Sequence, residues 1–102
     1  MHVIQLFLPL ASNTGGAFPK ARFAAVRREL TEQFGGVTTY TRSPAVGLWE
    51  DEDGDVCRDE VVLFEVMADA IDHGWWRAYR GTLEREFEQE QILVRATAVE
   101  RL

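Results

Sequence analysis

The chain has 102 residues, 46% of them hydrophobic and 27% charged, which fits one globular domain with a modest core. Its formal net charge of −6 disfavours broad binding to nucleic acid or to an anionic membrane surface. A single cysteine, Cys57, excludes an internal disulfide, and no apolar run approaches the ~20 residues of a membrane-spanning helix.

The first predicted element is a strand over His2–Leu10. In a strand, successive side chains alternate between faces. Ile4, Leu6 and Leu8 therefore share a wholly apolar face, and Val3, Gln5 and Phe7 share a face with one polar group. Pro9 lacks an amide donor, so the ladder ends there or runs along an unpaired side. No basic stretch precedes this run, so it does not read as a signal peptide, and cytoplasmic residence is the expectation. The following segment, residues 11–18, is a glycine-containing loop that matches neither a dinucleotide fingerprint nor a phosphate loop.

Pro19 suits a helix start, and Lys20–Phe34 is the predicted helix. Phe23, Val26, Leu30 and Phe34 recur every three or four residues as an apolar stripe. Arg28 and Glu32 stand four apart and can pair weakly, and Gly35 is a natural left-handed cap. A second strand begins at Val37–Tyr40, is interrupted or bulged at Ser43-Pro44, and resumes over Ala45–Trp49. Proline and irregular pairing suit an edge position. Asp53-Gly54-Asp55 then reads as a hairpin turn. Asp51, Asp53 and Asp55 have the spacing that opens a calcium loop, but the glycine and the closing glutamate are misplaced, so no metal is assigned.

Asp59–Ala68 is the central strand signal. Val62, Phe64, Val66 and Ala68 form one apolar face, while Val61, Leu63, Glu65 and Met67 form a mixed one. Asp72 is the predicted N-cap of a second helix running from His73 to about Glu90, with Trp76, Tyr79, Leu83 and Phe87 as its stripe. The last strand, Gln91–Val99, places Ile92, Val94, Ala96 and Ala98 on one face and Leu93, Arg95, Thr97 and Val99 on the other.

The order strand, helix, strand, strand, helix, strand is the α+β, ferredoxin-like βαββαβ sandwich. It predicts a single domain over residues 1–102, a four-stranded antiparallel sheet ordered 4-1-3-2, and both helices on one face. At this level the chain resembles ferredoxin-like proteins that dimerise as α/β barrels. That group includes cofactor-free monooxygenases, dehalogenase-like lyases and stress-response proteins. Phe34-Gly-Gly-Val-Thr-Thr-Tyr-Thr-Arg-Ser-Pro-Ala, with Gly47-Leu-Trp and Val61-Val-Leu-Phe-Glu, also resembles small bacterial proteins of uncharacterised function. The resemblance implies a homodimer joined through the sheet face opposite the helices, with no cofactor.

Strand parity places the candidate chemistry on that uncovered face. Glu65 is the candidate catalytic base, and Gln5, Phe7, Arg95 and Thr97 are candidate ligand contacts. Tyr40, Arg42 and Trp49 form a second set that combines a hydroxyl, a guanidinium and a ring suited to a small polar or anionic molecule. Glu65 and Arg95 are expected to approach each other across Gln5. Ser43 has no companions that would make it a nucleophile, and neither His2, His73 nor Cys57 has metal-ligand spacing. Three readings stay open: a dimer binding a small organic molecule, a cofactor-independent enzyme using Glu65, and an interaction protein whose polar groups form an interface network.

Overall fold

The computed structural model describes the backbone of residues 1–50 and 56–102 and the side chains of residues 1–40 and 60–102. Six elements follow in order: β1 His2–Pro9, α1 Lys20–Phe34, β2 Thr38–Glu50, β3 Val56–Ala68, α2 His73–Glu86 and β4 Val94–Ala98. The sheet order is β2-β3-β1-β4, with every pairing antiparallel. This is the ferredoxin-like arrangement expected from the order of elements. The acidic turn and its calcium-like spacing at Asp51, Asp53 and Asp55 lie outside the described residues.

The core follows strand parity. Ile4, Leu6 and Leu8 from β1 and Val62, Phe64 and Val66 from β3 are all buried. They meet Val26 and Leu30 of α1, and Trp76, Tyr79 and Leu83 of α2, in one cluster. Both helices thus cover the same sheet face. Each fully buried apolar side chain contributes roughly 1.5–3 kcal/mol through removal from water. Phe87 closes the far end, with Phe18 set edge-on to it and Phe23 tilted against it, both at 5.2 Å between ring centres.

Local chemistry explains the boundaries. The α1 helix ends at Gly35, which takes φ 81° and donates its N–H to the Thr31 carbonyl. The α2 helix starts where Asp72 Oδ1 accepts from the Trp75 N–H at 3.0 Å. Pro9 falls where its missing N–H costs nothing. Phe7 N–H still reaches Leu93 on the β4 side, but the β1–β4 ladder has ended at Leu6, so among the described residues no strand faces Pro9 on that side. The β2–β3 register slips between Tyr40 and Ala45, the bulged edge expected around Ser43-Pro44.

Three expectations need correction. The α2 helix stops at Glu86 rather than near Glu90, because Phe87–Gln89 form a left-handed cap. Glu88 takes φ 52° and donates to the Arg85 carbonyl, while Gln89 donates to the Glu84 carbonyl. That pair of bonds is a Schellman motif with glutamate where glycine is usual. The β4 strand is shorter than Gln91–Val99, and Ala96, expected under the helices, is exposed. Arg28 and Glu32 do not pair; the ion pairs among the described residues are Arg22–Glu86 and Arg80–Glu84.

Candidate functional site

The sheet face opposite the helices is open. Leu63, Val3 and Phe7 are half-buried there, while Tyr40 at 46%, Met67 at 48% and Leu93 at 54% exposure leave large apolar surfaces to solvent.

A row of polar side chains crosses this face at one level. Antiparallel register sets Gln5 between Glu65 on β3 and Arg95 on β4. Glu65 and Arg95 are two strand spacings apart, about 10 Å, which neither side chain needs to span because Gln5 fills the gap. Arg95 Nε donates to Gln5 Oε1 at 2.9 Å, and Gln5 Nε2 donates to Glu65 Oε1 at 2.7 Å. The flanking groups set the amide's orientation: the guanidinium only donates and the carboxylate only accepts. Tyr40 reaches from β2, and its hydroxyl donates to Glu65 Oε2 at 3.3 Å. Both carboxylate oxygens therefore carry a donor. Arg95 also lies over the Phe7 ring, 4.9 Å from its centre, within cation–π range.

The residues picked out by parity thus come together, with Arg95, Gln5, Glu65 and Tyr40 linked and Phe7 beneath the guanidinium. Thr97 stands one row away, opposite Val3, and makes no hydrogen bond to the line among the described residues. The side chains of Arg42 and Trp49 lie outside the described residues. Sequence reasoning placed Tyr40 in a separate group, and its bond to Glu65 depends on the diagonal offset of the β2 register. Thr38, not Tyr40, is directly opposite Glu65. Among the described residues no group of three or more His, Cys, Asp or Glu is placed to hold a metal ion, and no helix is long and apolar enough to cross a membrane.

The arrangement offers a positive end at Arg95, a carboxylate about two strands away, and apolar walls on either side. It suits a small molecule carrying both polar and apolar parts.

No protein-family profile and no curated protein matches the chain. Among solved structures, a phage SAM lyase in complex with S-methyl-5′-thioadenosine is similar, with a TM-score of 0.66 and 13% sequence identity. The match covers 94% of this chain and 79% of that one. At this identity the likeness establishes a shared fold.

Proposed function

We propose that the open sheet face binds a small organic molecule and that a second copy of this chain closes the site. The observation that carries the reading is the Arg95–Gln5–Glu65–Tyr40 line, a continuous hydrogen-bonded polar row on an otherwise largely apolar, uncovered face. A second copy would cover the exposed Tyr40, Met67 and Leu93 surfaces and shield the row from water. The fold's occurrence in a lyase holding a thioadenosine supports a nucleoside thioether or its sulfonium parent as the ligand class to try first. A flat purine suits the apolar walls, and a sulfonium centre suits the carboxylate.

The same likeness favours a second reading, a cofactor-independent lyase in which Glu65 acts as base or as an anionic anchor. Glu65 Oε2 is the oxygen available for this role. Its bond to Tyr40, at 3.3 Å, is the longer of the two and is the one that a substrate group would displace. Arg95 would then stabilise negative charge developing on the substrate.

Calorimetric titration with S-methyl-5′-thioadenosine, alongside sedimentation at micromolar protein, tests the primary reading. The expected result is saturable binding by a dimer, weakened about tenfold in Glu65→Gln through loss of a charged hydrogen-bond partner. A strict monomer that binds the compound no better than Glu65→Gln does would overturn it. Turnover of S-adenosylmethionine by the wild type that is lost in Glu65→Gln distinguishes the lyase from a binding protein.

A further inference from the structure

On the helix side of the sheet a cavity opens between α2 and β4, with a volume of about 300 Å³. It exists because β4 is only partly roofed. Ala96 points to the helix side by parity, yet it is exposed, whereas Ile4 beside it on β1 is buried. A small side chain at this position leaves a space that a leucine would fill.

The cavity's two sides differ in chemistry. Its floor is largely apolar, formed by Ile4, Val94 and Ala96 on the strands together with Trp76 and Ile71, with Arg95 of β4 also in the lining. Its rim on α2 is His73, Arg77 and Arg80, spaced i, i+4 and i+7, so one helix face presents three nitrogen-bearing side chains to it. Among the described residues no acidic side chain lines it, although the chain as a whole carries a formal charge of −6. Arg80 shares its charge with Glu84 at 4.0 Å, whereas Arg77 makes no ion pair among the described residues.

From this geometry we infer a second ligand site for an amphipathic anion: a carboxylate or phosphate head held by Arg77 and Arg80, with a short apolar tail over Ala96 and Trp76. Guanidinium groups bind such heads through paired, charge-assisted hydrogen bonds. At the ~30 Å³ that one water-sized group occupies in the liquid, the space takes roughly ten non-hydrogen atoms. An eight-carbon fatty acid has that size. Arg95, one end of the Glu65 row on the other face of the sheet, also lines this space, but the head-group contacts assigned here are those of α2.

The test is an NMR titration of the intact protein with octanoate, observing the backbone amides of Ile71 and Ala96 and the side-chain Nε–H groups of Arg77 and Arg80. The expected result is saturable shifts at these positions, with octanol at least tenfold weaker. Arg77→Gln and Arg80→Gln should each weaken octanoate severalfold, and Ala96→Leu should abolish binding while the protein stays folded. Equal binding of octanol, or undiminished octanoate binding by folded Ala96→Leu, would overturn the assignment. So would shifts at these positions that track protein concentration alone, since a second copy would then be the occupant.

Discussion

Replacing Gln5 with alanine should uncouple Glu65 from Arg95. The structure gives two bonds to lose, 2.7 Å to the carboxylate and 2.9 Å to the guanidinium. Buried hydrogen bonds to charged groups contribute ~1.5–3 kcal/mol. Here Gln5 and Glu65 are half-buried and Arg95 is exposed, so solvent screening reduces these values. We assign about 1 kcal/mol to the Glu65 bond and about 0.5 kcal/mol to the Arg95 bond. The sum of about 1.5 kcal/mol lowers the Tm by roughly 6–12 °C for a domain of this size. A double-mutant cycle in urea between Gln5→Ala and Glu65→Ala should show about 1 kcal/mol of coupling. Glu65 and Arg95 are about a Debye length apart, so their direct interaction is largely screened and their coupling passes through Gln5. A Glu65→Ala/Arg95→Ala cycle should therefore show a few tenths of a kcal/mol in the wild type and none in the Gln5→Ala background. Protein concentration must be held constant, because assembly would shift apparent stability. Additivity of Gln5→Ala and Glu65→Ala within about 0.3 kcal/mol would refute the claim that the row is one network.

Two further outcomes follow from local strain and burial. Glu88 occupies a left-handed position at φ 52° and places a carboxylate at the C-terminal end of α2. Glu88→Gly should stabilise by about 0.5–1 kcal/mol in urea titrations, and Glu88→Ala by less, since alanine relieves the charge but keeps the Cβ strain. An alanine variant as stable as the glycine variant would contradict this. The Tyr79 hydroxyl is buried without a partner among the described residues, and burial, with Glu29 adding to it, pushes the phenol well above its ordinary range. The folded state thus keeps the proton where the unfolded state releases it. Stability is unaffected below about pH 10 and falls as pH rises beyond that. Tyr79→Phe should flatten this alkaline loss and be neutral or slightly stabilising at pH 7, read by chemical denaturation across the two pH ranges.

Much of the architecture was legible in the residues alone because its signals are local. Two-residue alternation in His2–Pro9 and Val61–Ala68 separated the buried Ile4, Leu6, Val62 and Phe64 from the open Gln5, Leu63 and Glu65. Helical spacing found Val26, Leu30, Trp76, Tyr79 and Leu83, and the caps at Gly35 and Asp72 lie where residue type placed them. Element order then limited the topology to a sheet in which β1 separates β3 from β4, which is why Gln5 was expected between Glu65 and Arg95.

Other features depended on distances between segments that no local pattern encodes. The β2 register, slipped after Tyr40, decides that this hydroxyl meets Glu65. The Schellman turn at Glu88 ends α2 early against its own helical periodicity, because Phe87 is already committed to the core beside Phe18 and Phe23. Ala96 obeys the parity rule in direction but not in burial, since whether a helix reaches over an edge strand depends on where α2 ends up, not on the strand's own residues. The gap left there, roofed by Arg77 and Arg80, has no counterpart in the chain's sequence pattern: its lining comes from β1, from α2 and the turn before it, and from β4, and only packing brings these segments together.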